Sequence, residues 1–324
     1  MNYEENNQET PKRKKFKLFD TQREGKGVSK EEANLPPGLK KFFILYKRDF
    51  GRLLSVNILM VLGNFPLLFL IVALSGVLNL NFAAHTVQSF TVFSAIFTNE
   101  GFTAPLLALG GIIGAPTLGA VNTATTYVFF AIGALVIFTF GLVNVGTTYL
   151  LRNMVMGEPV FVWSDFWYAI KRNLKQGFFF GILDVILLAL IPVNVMILSQ
   201  NSGFFQGVLF WLNLVIGLLY VMMRCYIYLQ MITFDLSIYK ILKNSLIFSF
   251  IGFKRLILAF LGNLVLILLV VSLAYSGAML ALAIALPLTV LFSNCAYMTT
   301  YAAYYKIKEI MIDPYSTDEV SAET

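Results

Sequence analysis

The sequence predicts an all-α polytopic membrane protein. The expected form is a helical bundle of about six transmembrane helices, arranged as three hairpins with interfacial amphipathic helices and both termini cytoplasmic. Three observations predict it. The chain is 58% hydrophobic and only 13% charged, with a mean hydropathy of +0.74, outside the range of soluble domains. Six apolar runs of spanning length recur along it, and its basic residues gather in alternate connections between them. A span needs roughly 20 apolar residues, so a chain of 324 residues holds six with modest loops.

Residues 1–37 are polar, mixed in charge and close with Pro36-Pro37. Without apolar periodicity they read as a disordered cytoplasmic tail. Within it the segment PKRKKFK at 11–17 is basic enough to be drawn to anionic lipid, by about 1 kcal/mol per Lys or Arg near the surface. The blander alternative is a topology signal alone. Nucleic acid is not expected as a partner for a tail tethered to six spans. The first long apolar run begins only near Leu53, so no cleavable signal is expected. The membrane domain then occupies 38–312, and 313–324 form a second cytoplasmic tail.

The apolar runs fall at 53–75, 127–151, 177–199, 207–232, 256–273 and 278–298. Thirteen Lys and Arg residues, Lys12 through Arg52, come before or at the start of the first. Arg152, Lys171, Arg172 and Lys175 separate the second from the third, and Lys240, Lys243, Lys254 and Arg255 separate the fourth from the fifth. Lys306 and Lys308 follow the sixth, and the three remaining connections hold none. The positive-inside rule therefore places both termini in the cytoplasm, after an even number of spans.

The outer segment 76–126 lacks Lys and Arg and carries one acid, Glu100. Gly, Pro, Asn and Thr interrupt it too often for a simple span. Its stretch at 105–121 suits a cap over the outer mouth or a re-entrant hairpin, because irregular backbone survives at membrane depth only when buried in protein or lining a cavity. An extra pair of spans is the third possibility.

The cytoplasmic joints repeat. Leu45-Tyr46-Lys47-Arg48-Asp49-Phe50 precedes the first run, Ala169-Ile170-Lys171-Arg172-Asn173-Leu174 the third, and Ile241-Leu242-Lys243-Asn244-Ser245-Leu246 the fifth. Each occupies the same topological slot, as three inserted hairpins would require. Convergence is the alternative, since any cytoplasmic re-insertion favours a basic amphipathic helix. In the central joint Ser164 or Asp165 is placed to cap the helix start. Phe166, Ile170 and Leu174 share one face by four-residue spacing. Trp163 and Trp167 suit the headgroup level, and Lys47, Arg48, Lys171, Arg172, Lys175 and Lys243 are the expected interfacial, lipid-facing cations. In the third joint Leu242 and Leu246 are expected on the buried side.

Two ionisable residues lie inside the spans, Asp184 and Arg224. Run three travels outward and run four returns, which places both roughly 10–12 Å below the cytoplasmic boundary at 1.5 Å per residue. Equal depth on antiparallel neighbours predicts an Asp184–Arg224 pair. Unpaired, each would cost about 2.5–3.5 kcal/mol. The pair reads either as a structural pin or as a substrate or ion contact, and snorkelling of Arg224 is the third reading. Asn57, Asn64, Asn194, Asn213, Asn263 and Asn294 add polar groups suited to interhelical hydrogen bonds, and Pro66, Pro192 and Pro287 are positions for kinks.

Catalytic constellations are missing. A single histidine, His85, and two separated cysteines, Cys225 and Cys295, exclude a disulfide framework, a Cys/His zinc site and a histidine-based triad. No HExxH, phosphate loop or dinucleotide glycine pattern occurs. The expectation is a non-enzyme without cofactor or metal.

Gly146-Thr147, Tyr149, Arg152, Gly157-Glu158, Asp165-Phe166-Trp167, Lys171, Asn173, Lys175 and Gln176 resemble the core of the YesL-like bacterial membrane family, a domain of unknown function. The resemblance covers about 144–255, and the long tail and the outer insertion depart from the compact pattern. It implies an integral membrane protein of Gram-positive-type bacteria, associated with carbohydrate uptake. The functional expectation is thus a multi-pass plasma-membrane protein, transporter-like or an accessory of solute uptake. Its partners would be the lipid bilayer, anionic lipids and transport-complex subunits. The alternative is a non-transporting scaffold that docks a cytoplasmic partner or anionic lipid.

Overall fold

A computed structural model describes residues 35–84, 117–200 and 203–314, and the described helices belong to the unit that begins at Pro37. The basic segment 11–17, His85, Glu100 and most of the 105–121 stretch lie outside the described residues.

The chain is an all-α polytopic bundle. Helices α1 (Leu39–Gly63) and α2 (Pro66–Leu74) meet at a 62° bend and together are long and apolar enough for one span. Pro66 lacks an N–H and its ring obstructs the preceding turn, so the helix turns a corner there. Strand β1 (Leu80–Ala84) pairs antiparallel with β2 (Thr117–Val121), Leu80 opposite Val121. This two-stranded ribbon was not foreseen from the sequence. Thr123 ends it by donating to Leu78 O (2.9 Å) and capping the next helix through the Thr126 N–H (3.2 Å).

Helices α3 (Ala124–Ala134) and α4 (Val136–Met156) run on as one span. After them come the short α5 (Val162–Arg172) and the spans α6 (Leu174–Ser199) and α7 (Phe204–Thr233). Then α8 (Ile238–Ile251) leads into α9 (Phe253–Tyr275). The last span comprises α10 (Leu280–Leu286), a π-helical turn at Pro287–Leu291, α11 (Phe292–Ile307) and a second π turn at Lys308–Ile312. Helix α2 packs on α3 and α1 on α4, α6 packs on α7, and α9 packs on α10 and α11, which gives three hairpins. Helix α4 holds them together, touching α1, α6, α7 and α11.

The three joints differ in form. The first is the opening turns of α1, continuous with its span. The second and third are separate helices, α5 and α8, broken from their spans at Asn173 and Gly252. Asn173 breaks its helix by donating from its side chain to Ala169 O at 3.1 Å, the local competition with the backbone expected of Asn. Helix α5 therefore buries Phe166, Ala169 and Ile170, while Leu174 falls in α6 and is exposed. Asp165 does act at the helix start, its carboxylate accepting the Phe161 N–H at 2.9 Å. In α8 the buried face is Ile241, Ser245, Phe248 and Ser249; Leu242 is half-buried and packs against the core as expected, whereas Leu246 is exposed. This face packs on α7, with the Phe248 ring centre 5.4 Å from that of Tyr226.

The densest packing lies at the basic end, where Leu53, Met154, Phe180, Tyr226, Ile241, Leu256 and Tyr297 share one cluster. Towards the other end leucines and valines such as Leu264, Val265 and Leu268 face outward, as a hydrocarbon solvent allows. The asparagines knit helices together. Asn57 donates to Pro287 O (2.9 Å) and accepts from the Ser293 N–H (3.0 Å), so one side chain bridges the backbone that the π turn leaves open. Asn213 donates to Ile191 O at 3.1 Å, Asn263 to Cys295 O at 3.2 Å, and Asn294 accepts from Tyr46 at 3.2 Å. Asn64 bonds within its own helix, and Asn194 is exposed.

Candidate functional site

The site forms where α4, α6 and α7 meet. Gly141 of α4 lies directly against Gly177 and Gly181 of α6, so close that a Cβ on Gly141 would overlap the Gly177 carbonyl. Small residues four apart let two membrane helices approach backbone to backbone. Asp184 follows Gly181 by three residues, which keeps it near the same face and turns it into the bundle, where it is fully enclosed.

Helix α7 supplies its partners from successive turns. Tyr220, Arg224 and Tyr228 are spaced by four, so they line one side of that helix. Tyr220 donates to Asp184 Oδ1 at 2.7 Å and Tyr228 to Oδ2 at 2.6 Å. Arg224 Nε is shared between the two oxygens, at 2.9 and 2.8 Å. Four short contacts, two of them from the Arg224 cation, thus converge on one carboxylate. The Arg224 guanidinium carbon also lies 5.1 Å from the ring centre of Phe140 and 5.2 Å from that of Tyr228, within cation–π range. Its terminal nitrogens donate no hydrogen bond among the described residues, and the side chain stays 23% exposed.

A second polar cluster sits at the basic end. Asp49, also fully enclosed, pairs with Arg48 and Arg52 of its own helix. Arg48 reaches on to Gly157 O (3.2 Å) and Met154 O (3.4 Å), capping the end of α4, where Gly157 takes a left-handed φ of 87°. Arg152 does the same for α7, bonding Ile232 O at 3.2 Å and Thr233 Oγ1 at 3.3 Å. Cations at helix C-termini answer both the free carbonyls and the helix dipole.

Beside this cluster a polar cleft of about 600 Å³ opens among Lys171, Arg172, Lys175, Gln176, Asp235 and Ser237. Gln176 ties its floor to Leu236 O at 2.9 Å, and Arg172 meets Asp235 at 3.4 Å. Hydrogen bonds that Arg172 donates to Tyr168 and Asp235 raise its guanidinium above its ordinary pKa.

The structure brings Asp184 and Arg224 together. Lys171, Arg172 and Lys175 meet at the cleft, while Lys47 and Lys243 stand exposed on separate helices. Trp163 and Trp167 are exposed and pack edge to face, 6.3 Å apart. Arg48 turns inward onto Asp49 rather than outward. Sequence reasoning missed Tyr220 and Tyr228, although their four-residue spacing around Arg224 marks them. It also missed the Gly177-x-x-x-Gly181 pattern and the burial of Asp49. Neither the polar cleft nor an apolar groove between α9, α11 and the start of α1 is lined by Asp184 or Arg224.

Among known proteins, a family described as "Protein of unknown function, DUF624" matches residues 121–195. That stretch includes α3 to α5, most of α6 and Asp184, and stops short of Arg224. No curated protein and no solved structure matches the chain.

Proposed function

We propose that this chain is a non-enzymatic accessory component of a solute-uptake system in the bacterial plasma membrane. Its basic end and both termini face the cytoplasm, and the polar cleft there docks another subunit of the complex. The observation that carries the reading is the contrast between a closed clamp and an open cleft. Asp184 spends its hydrogen bonds on its own bundle, whereas Lys171, Arg172 and Lys175 converge on accessible space. With three cations to the one carboxylate of Asp235, the cleft is net basic. A basic patch recruits an acidic partner, here an acidic cytoplasmic surface of a transport subunit. The topology rests on the positive-inside rule, and carbohydrate as the solute class rests on the YesL-like resemblance.

The test compares wild type with a Lys171→Glu/Arg172→Glu/Lys175→Glu variant, by purification from cross-linked membranes and by carbohydrate accumulation in cells. Transport subunits recovered with wild type and lost with the variant, together with lower accumulation, are expected. A solitary protein that a sugar stabilises against heat would contradict the proposal.

A second reading has its own observation, the exposed part of Arg224 with its uncommitted terminal nitrogens. A solute carboxylate or phosphate reaching that guanidinium would make the bundle a transporter. Replacing Arg224 would then abolish uptake while the partner still co-purifies.

A further inference from the structure

The apolar groove on the outside of the bundle lies between α9, the start of α1 and α11, and encloses about 510 Å³, a volume typical of ligand cavities, about 300–1,000 Å³. Its α9 wall begins at Arg255 and ends at Val265. Ten residues at 1.5 Å each give roughly 15 Å, half of a hydrocarbon core about 30 Å thick. The groove is therefore one leaflet deep. It starts at the basic end, where Lys254 and Arg255 are both exposed.

The lining matches that depth. Ala259, Gly262 and Ala302 keep the channel hollow, and a Cβ on Gly262 would already press on Met298 Sδ at 3.1 Å. Of the two tyrosines in the lining, Tyr301 donates to Gly38 O at 2.8 Å and accepts its N–H at 3.2 Å, and Tyr305 donates to Val155 O at 3.4 Å. A hydroxyl-rich solute would find few partners along such walls; a hydrocarbon chain needs none. Arg255 at the mouth is only loosely engaged. It lies 3.5 Å from Glu309, whose carboxylate Lys306 holds more closely at 3.1 Å.

We infer that this groove holds one acyl chain of an anionic phospholipid from the leaflet at the basic end, with the lipid phosphate on the Arg255 guanidinium. Lys254 adds charge beside it, and Glu309 competes with the phosphate for Arg255. Length, apolar walls and a single cationic mouth together select a chain with an anion at its end.

Native mass spectrometry of the full chain, released from nanodiscs, tests this with phosphatidylglycerol and phosphatidylcholine of identical acyl composition. Wild type is expected to keep phosphatidylglycerol at collision energies that strip phosphatidylcholine. Arg255→Gln should lower retained phosphatidylglycerol at least about fivefold, Arg255→Lys should keep most of it, and Glu309→Gln should raise it. Ala259→Phe and Gly262→Leu plug the groove from different positions with Arg255 intact, and each should release the lipid, so the result does not hang on one variant folding. Equal retention of the two lipids, or full retention by both Arg255→Gln and the plugged variants, would overturn the inference. So would displacement of the lipid by glycerol phosphate as readily as by phosphatidylglycerol, since that would make the site one for a free phosphate ester.

Discussion

Asp49 and Asp184 are both fully enclosed carboxylates, but they are assembled in opposite ways. Asp49 takes its cations from its own helix, one residue before it and three after. Those arginines are 24% and 41% exposed, so water shares their charge, and Arg48 passes the interaction on to the end of α4. Asp184 takes every partner from another helix, and Arg224 lies within a span. The first cluster finishes a helix terminus. The second fixes how two spans sit against each other, and Arg224, although 23% exposed, lies inside a span rather than at a helix end.

The comparison predicts unequal costs. Asp184→Ala should be the most damaging change, about 3–5 kcal/mol, because it strands Arg224 and two hydroxyls inside the bundle. Thermal unfolding in detergent measures it, and a loss below about 1 kcal/mol would mean that Arg224 escapes to solvent. Gly181→Val should cost about 1–3 kcal/mol by forcing α4 and α6 apart. It should also loosen the Asp184 cluster, visible as faster hydrogen exchange near Tyr228. Asp49→Ala should cost about 2 kcal/mol, less than Asp184→Ala, since its arginines can turn to water. If the two losses are equal, the contrast between the clusters fails. Arg172→Ala, at an exposed pair, should stay within about 0.5 kcal/mol of wild type. Its effect should appear instead in partner recovery.

The same contrast explains what the sequence could reveal. The Asp184–Arg224 pair was legible because helical rise converts sequence distance into depth, and two charges at one depth on adjacent spans can meet. Tyr220 and Tyr228 were legible in principle by the same geometry. Asp49 was not, because an acid flanked by Arg48 and Arg52 in a basic joint reads as a solvated surface. Its burial depends on α1 running on without a break, which only tertiary packing decides. The exposure of Leu246 has a similar origin, since tertiary packing buries the side of α8 that carries Ile241, Ser245, Phe248 and Ser249. The bend at Pro66 and the three hairpins followed from local rules. The ribbon of β1 and β2 joins segments far apart in the chain and gave no periodic signal.

The central claim is that Asp184 and Arg224 clamp the bundle while the polar cleft engages the partner. The most direct measurement is carbohydrate accumulation by cells carrying Asp184→Leu/Arg224→Leu, which removes both charges and leaves none stranded. A folded double variant that still recovers its transport subunits and accumulates solute at the wild-type rate is the predicted result. A folded, partner-bound variant that no longer supports uptake would contradict it and place the solute at Arg224.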